Sequence, residues 1–103
     1  MQTIRAKEFT GSRPWAALDI ARIDGATVRL HWSDKPYGTH VNDAAEVFAV
    51  LDGVVEMRYR DAGEERVARL ETGDVFYAQP GDEHAAHPVG EARILVIERA
   101  GSV

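Results

Sequence analysis

From residue 26 onward, apolar residues recur at the two-residue period of half-buried strands, and clusters of turn-forming residues interrupt them at short, regular intervals. Val28, Leu30 and Trp32 alternate with Arg29 and His31, and residues 33–38 read as a loop. Residues 46–51 form the next strand. Asp52-Gly53 predicts a two-residue hairpin, because glycine accepts a positive φ, with residues 54–60 returning antiparallel to it. The chain turns at Asp61-Ala62-Gly63-Glu64 into residues 66–71, turns again at Thr72-Gly73-Asp74 into residues 75–79, and is closed off by residues 80–83. Residues 92–99 are apolar on both faces, the mark of a strand buried on both sides. Residues 15–23 fit either a short helix or a strand paired through Asp24-Gly25, and the strand is favoured. Short strands at this spacing predict an all-β sandwich or barrel.

Length holds the answer to one domain: 103 residues leave room for a single core. Its organisation is read as an N-terminal strand segment over residues 1–25 followed by the barrel proper over residues 26–103. Hydrophobic residues at 45% and charged residues at 28% suit a folded, soluble chain and argue against intrinsic disorder. A net charge of −5, with no basic cluster to offset it, disfavours nucleic acid and anionic membranes as partners. The absence of cysteine removes disulfides, thiolate metal sites and thiol nucleophiles together, and fits a reducing cytoplasm. Residues 1–8 carry no apolar run of the kind a secretory signal or membrane anchor needs, so a cytoplasmic location is expected.

Candidate chemistry rests on the four histidines, His31, His40, His84 and His87. His40, Asn42, Glu46, Phe48 and Val50 share strand parity, so a histidine, an amide and a carboxylate are expected to face the same interior as Phe48 and Val50. A buried carboxylate is costly without a partner, so Glu46 is expected to be paired, protonated or bound to a metal ion. His31 falls beside Arg29 on the face expected to point outward, and His87 is out of phase with His84. Tyr37, Phe48, Tyr77 and His87 are the candidate pocket residues, with Trp32 a further aromatic to place. Gly53, Gly73 and Gly81 are read as turn residues, and Asp74 as a side-chain turn cap.

The spacing from His40 through Asn42 and Glu46 to Gly53, followed by Gly73, Gly81 and His84, resembles the two motifs of the cupin family. The family pattern places a second histidine where this chain has Asn42 and a glycine where it has Asp34. The expected proline comes one place late, as Pro80 after Gln79, and Pro88 stands in place of an asparagine. The resemblance implies a jelly-roll barrel, the cupin-type double-stranded β-helix, with a metal ion on His40, Glu46 and His84 and a weak oxygen ligand at most from Asn42. Two imidazoles and a carboxylate with open positions suit a divalent iron, manganese, nickel or zinc ion. The alternative is a metal-free polar pocket in which His40 and His84 hydrogen-bond Glu46.

Two functions therefore stand side by side: a metal-dependent protein acting on a small organic molecule, and a non-catalytic barrel that binds or senses a small ligand. A homodimer is also expected, because Ile4, Phe9 and Trp15 have no evident place within a single barrel and family resemblance implies strand exchange between subunits.

Overall fold

The computed structural model describes residues 1–101. A single turn of 3-10 helix at Ala6–Glu8 precedes nine strands: β1 (Ala16–Ile23), β2 (Ala26–Ser33), β3 (His40–Val41), β4 (Glu46–Asp52), β5 (Val55–Asp61), β6 (Glu64–Leu70), β7 (Val75–Ala78), β8 (Glu83–Pro88) and β9 (Ala92–Arg99). They form two antiparallel sheets, β1-β2-β9-β4-β7 and β3-β8-β5-β6, that face each other as a barrel. The strand reading of residues 15–23 holds: β1 pairs with β2 across Asp24 and Gly25, both at positive φ (48° and 84°), the backbone that matches the twist of a tight hairpin. No helix among the described residues is long and apolar enough to cross a membrane.

The Asp52-Gly53 hairpin does not form. β4 pairs with β7 and β9, whereas β5 pairs with β6 and β8, so the chain passes between sheets at this point rather than folding back on itself. Gly53 is still required there, for two reasons. Its φ of +91° is left-handed, and a Cβ at this position would lie 2.5 Å from the Glu91 carbonyl oxygen. The Asp-Gly signature thus marks a tight left-handed turn correctly, while the pairing of the flanking strands is decided by their inward-facing side chains.

Those inward faces build the core. Phe48 and Val50 of β4, Val55 and Met57 of β5, and Ile94 and Val96 of β9 are all buried in one cluster between the sheets. β9 lies between β2 and β4, with its neighbours hydrogen-bonded on both sides, which explains why its sequence is apolar on both faces. β8 has no comparable alternation; the sequence Glu-His-Ala-Ala-His-Pro pairs with β3 and β5 because its alanines and His84 are small or polar enough to close the sheet over the barrel interior.

The outer face of the five-stranded sheet is apolar as well. Leu30 and Trp32 belong to it, with Val28, Leu95 and Ile97 beside them. Part of it is covered by the chain's own N-terminal segment, pinned by Arg93. This arginine is 7% exposed and donates through Nε to the Phe9 carbonyl (2.8 Å), through Nη2 to Thr10 Oγ1 (3.0 Å) and through Nη1 to Asp52 and Glu91. Trp15 packs against the core, and Ile4 and Phe9 are half-buried, so all three have places within one barrel, contrary to the expectation from sequence. The outer face of the four-stranded sheet is charged instead, with Glu56, Arg58, Arg60 and His87 on neighbouring strands.

Candidate metal centre

Three elements converge on the barrel interior. β3 is only two residues long, yet its register opposes His40 to His84 of β8 and so brings two imidazoles together, their ring centroids 4.5 Å apart. Glu46 opens β4 on the inward side, facing them from the other sheet. One nitrogen each from His40 and His84 and one Glu46 oxygen all lie within 4.8 Å of one another. His84 and Glu46 are buried and His40 half-buried. His84 Nε2 stands 3.1 Å from Glu46 Oε1, and with a carboxylate as acceptor this nitrogen donates. His40 Nδ1 faces the Gly38 carbonyl at 3.4 Å, an arrangement in which Nδ1 carries the proton and Nε2 keeps its lone pair for a ligand.

Asn42 is 3% exposed, and neither its amide nitrogen nor its amide oxygen has a hydrogen-bond partner. The buried Nδ1 of His84 is also without one. Buried polar atoms in folded proteins are ordinarily paired, and these three, together with Trp32 Nε1 on the outer face of β2, are the exceptions among the described residues. A donor set of two imidazole nitrogens and one carboxylate oxygen, in which buried His84 keeps an unpaired ring nitrogen, fits a divalent transition-metal ion.

Glu98 is the residue that the sequence reading missed. In register it sits directly opposite Glu46, on the inward face of β9, and their side chains hydrogen-bond. Burial, the hydrogen bond to Glu46 and the charge of Glu46 push the Glu98 carboxyl up to about 7. Burial would raise Glu46 too, but hydrogen bonds from His84 and Glu98 and the neighbouring imidazoles outweigh it and hold that carboxyl below its ordinary value. The alternation in residues 92–99 carried the signal: Ile94, Val96 and Glu98 share the inward parity, and an acid in that row has to be accounted for.

His31 and Arg29 correct a second expectation. They face the interior, and Leu30 and Trp32 the outside, because β2 has a buried layer on each side: the barrel core within and the N-terminal segment without. Apolar alternation alone chose the wrong face. The imidazole of His31 donates from Nδ1 to the Trp15 carbonyl at 3.2 Å, and its pKa is lowered, chiefly by burial and against the pull of that hydrogen bond. Trp15 has a left-handed φ of 62°, and its indole nitrogen bonds the Lys35 carbonyl at 2.9 Å. Its ring meets Tyr37 edge-on at 5.4 Å, and Tyr37 in turn meets His40 at 5.3 Å.

These residues line an open cavity of about 200 Å³, together with Glu46, His84, Phe48 and Val96. Of the candidate pocket residues, Tyr37 and Phe48 line it. Tyr77 does not: it lies on the outward side of β7, 58% exposed, bordering a separate depression with Arg60 and Asp82. His87 does not either, since β8 runs without a bulge and carries it to the outer face beside Arg58. Asp74 caps its turn as expected, accepting from the Glu71 amide at 2.8 Å.

Two facing antiparallel sheets with a His/Glu/His group and further polar side chains at one end of an apolar core define a small barrel protein built around an internal polar site. Residues 22–98 match the family model described as Cupin domain, and the chain belongs to the cupin family. No curated protein matches it. Solved structures similar to it include a cupin-2 domain containing protein from Shewanella frigidimarina, 24% identical with a TM-score of 0.77, covering 86% of this chain and 84% of that one. The TT1209 protein from Thermus thermophilus is 19% identical with a TM-score of 0.78, over 96% of this chain and 97% of that one. Hydroxypropylphosphonic acid epoxidase from S. wedmorenis is 17% identical with a TM-score of 0.63, over 72% of this chain but only 43% of that larger protein.

Proposed function

We propose that the barrel interior binds a divalent metal ion through His40, Glu46 and His84 and acts on a small organic molecule in the adjoining cavity. The observation that carries this reading is the convergence of the three ligand atoms within 4.8 Å, delivered by three strands from two sheets. His40 and His84 would each present a ring nitrogen and Glu46 a carboxylate oxygen, a set suited to iron, manganese, nickel or zinc. Such an ion supplies Lewis acidity, polarising a carbonyl or hydroxyl oxygen of the bound molecule. Glu98, hydrogen-bonded to Glu46, is the group placed to hold or release a proton there, and Phe48 and Val96 keep the floor dry. One structural relative is described as an Fe(II)-loaded epoxidase, which favours testing iron early.

Elemental analysis of untagged protein purified without chelator tests the reading. Near-stoichiometric metal in the wild type, lost in His40→Ala and His84→Ala, is expected. A wild type that is empty and stays empty after reconstitution overturns it. The second reading, a metal-free barrel that binds a small ligand without turnover, has its own support: His84 and Glu46 already bond each other at 3.1 Å, and Asn42 stands where the family pattern has a histidine. It predicts a folded, ligand-binding protein with no metal affinity.

We further propose that the protein is a cytoplasmic homodimer. A chain without cysteine suits a reducing compartment. The outer face of the five-stranded sheet exposes Leu18 and Ile23 on the edge strand β1 (36% and 60%) and Val75 and Tyr77 on the opposite edge strand β7 (62% and 58%), apolar side chains that a second copy would cover. Sedimentation of wild type and Val75→Asp/Tyr77→Asp checks this: dimer and monomer respectively are expected, and a monomeric wild type overturns it.

A further inference from the structure

The wall of the cavity that holds the His/Glu/His group also carries Arg29, on β2 of the same sheet as Glu46. β2 turns Arg29 to the inward side of the sheet, in register with Val96, but its side chain stays 42% exposed, so the guanidinium stands where the cavity meets solvent. Its Nε is held by Asp19 Oδ1 at 2.8 Å, an acid on the neighbouring edge strand β1 that is itself largely exposed. That is its one ion pair among the described residues, although Glu46 and Glu98 line the same cavity. Glu46 is engaged instead by His84 and Glu98. Asp19 thus holds the guanidinium through Nε, the guanidinium's charge also acts on the Glu98 carboxyl, and its two terminal nitrogens have no hydrogen bond among the described residues.

A planar guanidinium with its terminal nitrogens free is matched to a planar carboxylate, which it can bind through two parallel hydrogen bonds. A phosphate dianion suits the cavity less well, because only one arginine faces it and two acids share the walls. The volume of about 200 Å³ falls below the usual range for drug-sized ligands, roughly 300–1,000 Å³, so the occupant is small. His31, with its Nδ1 proton given to the Trp15 carbonyl, offers Nε2 as an acceptor on the same strand.

We propose that Arg29 is the anchor for the carboxylate of a small organic acid, held so that a second oxygen of the same molecule is directed at the His40/Glu46/His84 group. The inference rests on the proposed function for the second contact only; the carboxylate contact needs no metal.

The test is calorimetric titration of the full-length protein with pyruvate and with lactate, each against its amide, and with inorganic phosphate. It is run first on chelator-treated protein and then with Mn²⁺ added, after a separate titration of Mn²⁺ alone. Each acid is expected to bind roughly tenfold or more tightly than its amide, the usual worth of a charge-assisted pair of hydrogen bonds. Arg29→Gln is expected to abolish that preference and leave Mn²⁺ affinity unchanged, and Arg29→Lys to keep part of it, since the charge remains and the fork is lost. Equal binding of acid and amide by the wild type, including no binding of either, overturns the assignment; so does a preference that survives Arg29→Gln, or tighter binding of phosphate than of both acids. Failure to bind Mn²⁺ counts against the metal centre alone, because the acid-versus-amide difference is read in the metal-free protein.

Discussion

The carboxyl pair at the barrel interior ties stability to pH in a direction opposite to that of acids paired with a cation. Glu98 ionises at 4.5 in an unfolded chain and at about 7 in the folded protein. Between those values the folded protein keeps a proton that the unfolded chain has lost, so rising pH favours unfolding. The penalty is absent below about 4.5, grows through the window and is complete above about 7. The interval of about 2.5 pH units corresponds to at most ~3.4 kcal/mol at 1.36 kcal/mol per unit, and because Glu98 is only half-buried, solvent screening reduces this to ~1–1.5 kcal/mol. Glu98→Gln is the perturbation, since a neutral amide of the same shape can donate to Glu46 as the protonated acid does. Urea unfolding of chelator-treated wild type and variant from pH 5 to pH 8.5 should show the wild type losing ~1–1.5 kcal/mol relative to Glu98→Gln, or about 5–10 °C in thermal midpoint. His31, with its pKa lowered chiefly by burial, acts the other way over part of this range, but it is present in both proteins and cancels in their difference. Glu46, held low, loses its contribution only on acidification below the range tested. Parallel pH curves for the two proteins would refute the shared-proton account of the pair.

Four further variants test the fold. Arg93→Ala removes four contacts at once, those to Phe9, Thr10, Asp52 and Glu91, and should cost about 2–4 kcal/mol in denaturant unfolding. The same variant should open residues 1–15 to limited proteolysis. Gly53→Ala combines a φ of +91° with a 2.5 Å approach to the Glu91 carbonyl and should cost more than ~2 kcal/mol. Gly25→Ala, with φ of +84° and open space around it, should cost only about 1 kcal/mol by the same measurement. Met57→Ala empties a fully buried position between the sheets and should lower stability by about 2–5 kcal/mol.

Strand periodicity and turn chemistry made most of the fold legible in the sequence, because a face buried on one side leaves a two-residue rhythm that no other element shares. The same reasoning grouped His40, Asn42 and Glu46 on one side, and the structure brings His40 and Glu46 together with His84. It failed where burial was not one-sided. β2 is covered on both faces, so its apolar residues did not mark the barrel side, and Arg29 and His31 were assigned to the wrong one. β8 lacked the apolar alternation that would have marked it as a strand, and its regular register is what turns His87 away from the cavity. Tyr77 was grouped with the pocket by residue type, whereas the inward neighbours on its own strand are Phe76 and Ala78. Which strands pair was not legible at all at Asp52-Gly53, since the local turn signal is the same whether the chain returns to its own sheet or leaves it.

That departure from the sheet at Gly53 has a bearing on how the chain acquires its structure during synthesis. Only β1 with β2 and β5 with β6 are joined to a partner by a tight turn; β4 waits for β7 and β9, and β2 waits for β9. A strand that arrives last is thus the one between β2 and β4, and until it emerges from the ribosome the larger sheet is two separate pieces with unpaired edges. Folding dominated by such distant pairings is slow, on the order of milliseconds to seconds for barrels of this kind. A truncation before Ala92 should therefore leave no partly folded barrel behind, but an aggregation-prone chain.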